Sequence, residues 1–80
     1  MPRFYIHFQN GDIIAKDDEG QDLPGLEEAR EAAMVSAREI LADNIKGKAT
    51  NPLLAVIVAN ESGETLITIP AKDALPDPLK

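Results

Sequence analysis

The fold is decided by residues 3–16, which read RFYIHFQNGDIIAK. The first half of this stretch alternates between apolar and polar side chains, which is typical of a half-buried β-strand. Its apolar side chains share one face: Phe4, Ile6 and Phe8. The dipeptide Asn10-Gly11 follows and favours a tight two-residue turn, because both central residues of that turn need positive φ. The stretch therefore predicts a β-hairpin.

The pairing within this hairpin follows from the turn. With the Asn-Gly dipeptide as the loop, the predicted pairs are Gln9–Asp12, Phe8–Ile13, His7–Ile14, Ile6–Ala15 and Tyr5–Lys16. In this register the apolar residues of both strands fall on the same face. A slip by one residue would place Ile13 and Ala15 in water, so the turn and the hydrophobic pattern support each other.

A helix is predicted after the hairpin, following a short extended piece at Gln21 to Pro24. The apolar positions recur at helical spacing from Leu26 onwards, and Gly47 is a natural end. The main apolar stripe consists of Ala29, Ala33, Ala37, Ile40 and Leu41. Acidic residues in the first turns and lysines at the far end match the helix dipole. Because the alanines form one row, the helix should pack unusually close to a sheet.

A second hairpin is predicted in residues 53–69. Leu53 to Ala59 is apolar throughout, and Thr65 to Ile69 alternates. Asn60 and Gly63 favour a three-residue loop with the glycine in the left-handed conformation. The predicted pairs are Asn60–Glu64, Ala59–Thr65, Val58–Leu66 and Ile57–Ile67.

These elements predict an α+β domain in the order ββαββ, a four-stranded antiparallel sheet with one α-helix packed on one face. A chain of 80 residues can build one core. Residues 1–70 are therefore expected to form a single domain, and residues 71–80 a proline-containing tail without lasting regular structure.

Composition restricts the function classes. The chain has no cysteine, which fits a reducing, cytoplasmic setting. Neither a signal peptide nor a membrane-spanning segment is expected from the sequence. Eight basic against fourteen acidic residues give a net charge of -6. Such a charge repels phosphate backbones, so direct nucleic-acid binding is not expected, whereas a basic protein partner is compatible with it.

The sheet face away from the helix is called the open face. On the first hairpin it carries Arg3, Tyr5, His7, Ile14 and Lys16, and on the second either Leu54, Val56, Val58 and Leu66 or the alternate set. One helix covers one face only, and a large apolar patch is rarely left in water. We therefore expect a homodimer, with interface candidates Tyr5, His7, Ile14, Val56, Val58 and Leu66. In the alternative, Leu75 and Leu79 of the tail cover the patch within one chain.

No catalytic, cofactor-binding or metal-binding residue is predicted. His7 is the only histidine and has no motif around it. The acidic loop from Asp12 to Asp22 lacks the ligand spacing of a calcium loop, and the glycines are isolated. We therefore expect a non-enzymatic interaction or accessory protein. An enzyme that uses His7 with the nearby acids is one alternative, and it would need a pocket in which His7 meets a carboxylate.

Several motifs together resemble a known family. They are the opening strand Arg3-Phe4-Tyr5-Ile6-His7, the turn Asp18-Glu19-Gly20, and Leu23-Pro24 followed by Glu27-Glu28-Ala29. The chain resembles a family of short bacterial proteins classed as a domain of unknown function. This resemblance extends to about Pro70 and implies a fold but no activity.

A second resemblance concerns the start of the helix. Asp22-Leu23-Pro24-Gly25 and Glu27-Glu28-Ala29 are similar to the N-terminal module of HicB-type antitoxins. The spacer usual in that family and its C-terminal DNA-binding segment are missing. This resemblance implies, as another alternative, an acidic module that binds a small basic toxin.

Overall fold

The computed structural model describes residues 2–47 and 51–74. The elements in chain order are β1 (Arg3–Asn10), β2 (Ile13–Ala15), β3 (Gln21–Asp22), α1 (Leu26–Gly47), β4 (Leu53–Ala59), β5 (Thr65–Pro70) and a 3₁₀ helix (Ala71–Ala74). None of the helices in these two ranges is long and apolar enough to cross a membrane.

The strands form one antiparallel sheet with the order β2-β1-β4-β5, and β3 pairs with the start of β1. The α+β class, the single long helix and the antiparallel sheet are confirmed. The prediction of four strands in the order ββαββ was incomplete, because the extended piece at Gln21–Asp22 pairs with Arg3 and Phe4 as a fifth strand. Two residues are too few for a periodic pattern, so their pairing had no signal in the sequence.

The alanine row packs α1 onto the sheet as predicted. Ala29, Ala33 and Ala37 are fully buried. Their small side chains bring the helix backbone close to β4, which α1 contacts far more than it contacts β1. The sheet contributes Phe4, Ile6, Leu53, Val56, Val58 and Ile69 to the same core.

The first hairpin has a different register from the predicted one. The observed pairs are Phe8–Ala15, Gln9–Ile14 and Asn10–Ile13, so Gly11 and Asp12 form the loop, and Gly11 has φ +61°. The shift moves β2 by two residues and therefore leaves every side chain on its predicted face. Asn10 stays in β1 because it also pairs with Leu53 across a bulge in the β1–β4 ladder.

The second hairpin has the predicted loop but an unpredicted bulge. Gly63 has φ +85°, and the Oδ1 atom of Asn60 accepts hydrogen bonds from the N–H groups of Ser62 (3.0 Å) and Glu64 (2.9 Å). Ala59 pairs with Thr65 as expected, but Val58 pairs with Ile67 rather than Leu66. The extra residue, Leu66, therefore turns outwards.

This bulge settles which apolar residues of the second hairpin face the helix. It aligns Ile67 and Ile69 with Val58 and Val56, so all four lie on the helix side of the sheet. Two β-branched residues of β5 thereby enter the core, which is the physical gain of the bulge.

The core extends past the predicted domain boundary. Ala71 and Ala74 of the four-residue 3₁₀ helix are buried in it. The Nε atom of Arg38 donates a hydrogen bond of 3.0 Å to the carbonyl oxygen of Ala74. These residues were assigned to a loose tail because prolines surround them, and packing outweighed that local signal. The alternative in which Leu75 and Leu79 cover the open face concerns residues outside the described ranges.

Ala33→Leu tests the close approach of helix and sheet. The larger side chain has no space at a fully buried position, so we expect the free energy of unfolding to fall by about 2 kcal/mol. Ala42→Leu, at an exposed position of the same helix, is the control and should change it by less than about 0.5 kcal/mol. Urea denaturation measures both. Equal effects of the two substitutions would contradict the packing.

Candidate functional site

Asp17 organises the loop between β2 and β3. Its Oδ1 atom accepts hydrogen bonds from the backbone N–H groups of Glu19 (3.2 Å) and Gly20 (3.0 Å). Its Oδ2 atom accepts one from the N–H of Ile6 (3.2 Å). Ile6 lies between the part of β1 that pairs with β2 and the part that pairs with β3. The carboxylate thus replaces a strand partner where the edge of the sheet is interrupted.

His7 is connected to the same loop by a second hydrogen bond. The backbone N–H of Asp17 donates to the Nδ1 atom of His7 over 3.0 Å. An accepting Nδ1 carries no proton, so in this arrangement the proton of a neutral ring lies on Nε2. The loop therefore fixes the orientation of the imidazole.

The pKa of Asp17 is lower than the ordinary value of an aspartate. Partial burial acts to raise it, but hydrogen bonds from the N–H groups of Gly20, Ile6 and Glu19 act in the opposite direction, and the positive charge of His7 adds to them when its ring is protonated. The sum is a lowered pKa, because the charged form of the carboxylate is the better acceptor. The charged carboxylate therefore stabilises the loop through these hydrogen bonds.

The far end of the loop is attached to the start of β1. The guanidinium of Arg3 forms an ion pair with Asp22 (Nε to Oδ1, 3.1 Å) and donates a hydrogen bond to the carbonyl oxygen of Glu19. The backbone at Gly20 lies next to Arg3 and has φ +74°. A Cβ atom on Gly20 would lie 2.8 Å from Cγ of Arg3 and 3.0 Å from the carbonyl oxygen of Phe4. Position 20 therefore requires glycine for two reasons.

The loop forms one wall of a groove on the open face, with a volume of about 530 Å³. Its floor is made by β1 and β4, and the opposite wall by the β4–β5 turn. It is lined by Tyr5, His7, Ile14, Lys16, Asp17, Asp18, Ile57, Asn60, Glu61, Gly63 and Thr65. We call this the face groove.

The structure divides the predicted interface residues into two groups. Tyr5, His7 and Ile14 line the face groove. Leu66 lies on the open face and is 37% exposed. Val56 and Val58 were placed wrongly, because both are fully buried on the helix side. Their pairing with Phe8 and Ile6 of β1 requires this orientation, since paired residues share a face.

Ile57 and Asp17 are two of the residues of this site that sequence reasoning missed. Ile57 lines the face groove, and it belongs to the alternate set that the continuous apolar run of β4 left open. Asp17 belongs to the acidic loop from Asp12 to Asp22, for which no function was predicted. A signal existed: aspartate followed three residues later by glycine favours a turn in which the carboxylate binds nearby N–H groups.

The chemistry of the face groove is mixed. Tyr5, Ile14 and Ile57 provide apolar surface, and Lys16, Asp18 and Glu61 provide charges. Nowhere in residues 2–47 and 51–74 do three or more His, Cys, Asp or Glu side chains form a group that could hold a metal ion. The hydrogen bond that His7 accepts comes from a backbone N–H, not from a carboxylic acid.

Fold and site together define a small α+β protein with one helix on an antiparallel sheet and a groove on the opposite face. The family model described as Domain of unknown function (DUF6894) matches residues 3–72. The chain belongs to this family, which confirms the resemblance to a domain of unknown function. No curated protein and no solved structure matches the chain.

Gly20→Ala tests the loop geometry. The substitution adds strain at positive φ and a clash with a backbone carbonyl, so we expect the free energy of unfolding to fall by about 2–3 kcal/mol. Gly63→Ala is the matched control, because φ is also positive there but the space around it is open. It should cost about 1–2 kcal/mol. Chemical denaturation measures the difference, and a Gly63 effect as large as the Gly20 effect would refute the steric part.

Asp17→Asn tests the role of the carboxylate. Because the pKa of Asp17 is lower in the folded than in the unfolded chain, its ionisation stabilises the fold above the unfolded pKa of about 3.9. This contribution is lost as the pH falls through the folded pKa. The variant should therefore be less stable at neutral pH, and its stability should decline less steeply below about pH 4. Urea midpoints across pH measure this.

The control for this pH experiment is Asp18→Asn, which removes the charge of the exposed neighbouring residue. We expect the urea midpoints of this variant to follow those of the unmodified chain. If both variants change the pH dependence equally, the hydrogen bonds of Asp17 are not the cause.

Proposed function

We propose that this protein is a small non-enzymatic interaction module and that a second copy of the chain covers its open face. The observation that carries the proposal is the exposure of Ile14 and Leu66 on this face, at 49% and 37%. Tyr5 and Ile57 lie half-buried on the same face. Apolar surface of this kind, ringed by polar residues, is typical of contact sites.

The size of the open face bears on the strength of the contact. The seven residues of β4 extend over about 23 Å, and four strands span about 19 Å. The product is a footprint of roughly 440 Å², below the roughly 800 Å² per partner of a standard stable interface. This area supports a weak, concentration-dependent dimer. In it the two sheets would face each other and both helices would lie outside.

The two alternative functions have less support. An enzyme that uses His7 would need the imidazole to meet a carboxylate, and the ring is instead held by a backbone N–H. A HicB-like antitoxin module rests on the motif at the start of α1. The family to which the chain belongs is described as a domain of unknown function, so it favours neither alternative.

Sedimentation velocity over a concentration series up to high micromolar tests the dimer. The variants are Ile14→Lys and Leu66→Lys, with Ile45→Lys as the control, since Ile45 is 73% exposed on α1. Each of the three substitutions adds a positive charge and so lowers the repulsion between two copies of charge -6. Weaker association of Ile14→Lys and Leu66→Lys must therefore come from lost contacts. We expect each to weaken the dimer at least about tenfold, as for one buried isoleucine.

Salt supplies a second readout on the same sample. Two copies that both carry -6 repel each other, and added salt screens this repulsion, so the dimer should become tighter at high ionic strength. A chain that stays monomeric at every concentration and salt level would overturn the proposal. If Ile45→Lys weakened the dimer equally, the open face would not be the dimer contact.

A further inference from the structure

A second uncovered surface lies on the helix side of the sheet. Because α1 packs mainly on β4, it leaves the outer part of β1 and the edge strand β2 without a cover. Two adjacent cavities of about 330 and 470 Å³ follow this gap and share Gln21 and Ser36. We call the combined depression the edge groove.

The edge groove has apolar side chains on both walls, with the polar residues Lys16, Asp17, Gln21 and Ser36 among them. Phe8 and Ala15 line its sheet side, and Ala32 and Val35 line its helix side. Val35 is 45% exposed, and Ile13, on the same face as Ala15 by register, is 59% exposed. Two large apolar side chains thus remain in contact with water beside a preformed depression.

The helix side of the edge groove is strongly acidic. Glu28 and Glu31 line it. Glu31, Val35, Glu39 and Asp43 follow at intervals of four residues, so they form one exposed row along α1. Within residues 2–47 and 51–74 the ion pair found is Arg3–Asp22, so none of these carboxylates forms an ion pair there. An occupant must therefore supply positive charge beside its apolar groups.

We propose that the edge groove binds a basic amphipathic helix of a partner protein. Its apolar side chains would pack against Phe8, Ile13 and Val35, and its Lys or Arg side chains would lie along the acidic row of α1. The net charge of -6 would steer such a segment towards this surface. A second copy of the chain is a poor occupant, since it brings the same negative row. Lys16 and Asp17 line both grooves, but the apolar residues of the open face do not line the edge groove, so a dimer would leave the helix side of both edge grooves accessible.

Fluorescence anisotropy with a labelled synthetic peptide tests this proposal. The probe is a Leu/Lys peptide with helical spacing, and its counterpart has Glu in place of Lys. We expect the Lys peptide to bind, and its affinity to fall as salt is added. The Glu peptide should not bind. Val35→Gln should weaken binding at least about tenfold through the lost apolar contact, without a change in charge. Ile45→Gln, the same change at another exposed apolar position of α1, should alter it less than about twofold.

Two further measurements keep the result decisive. Circular dichroism of Val35→Gln checks the fold. The double variant Glu31→Gln with Glu39→Gln keeps Val35 and should weaken binding through the lost charges. In a ¹⁵N spectrum the peptide should shift the signals of Ala15, Ala32 and Val35. Absence of binding, equal effects of Val35→Gln and Ile45→Gln, or shifts confined to Tyr5, His7 and Ile57 would overturn the proposal. Ile14→Lys should keep peptide binding, which separates this result from the fate of the dimer.

Discussion

The contact between the alanine row of α1 and β4 is the constraint on which the other features depend. Ala29, Ala33 and Ala37 have no side chain beyond Cβ, so the helix lies close to the sheet and is centred on one strand. A helix about 10 Å wide covers roughly two strands spaced by about 4.8 Å. The edge groove beside it and the open face behind it both result from this position.

A carboxylate takes over the role of a strand at the sheet edge. Between β2 and β3 the chain leaves β1, and the side chain of Asp17 satisfies the N–H of Ile6 that would otherwise lack a partner. The same loop orients His7 and builds one wall of the face groove. A backbone irregularity thus shapes one side of the face groove, as is common where loops form binding surfaces.

Much of the fold was predictable because it follows from local patterns. Alternation in β1, helical spacing in α1 and the Asn60 to Gly63 loop each act within a few residues. The faces of the first hairpin were also predicted, since a shift of two residues preserves them. Register was less predictable, because the bulges at Leu54 and Leu66 depend on how β4 pairs with its two neighbouring strands and not on local sequence.

By itself the sequence determined the class of fold, the helix with its alanine row, and the family to which the chain belongs. Tertiary structure alone decided that Val56 and Val58 face the helix while Ile57 faces the groove. Seven consecutive apolar residues carry no period, so only pairing with β1 and β5 assigns their faces. It also decided the role of Asp17, because its partner Ile6 lies eleven residues away and meets it only when the sheet forms.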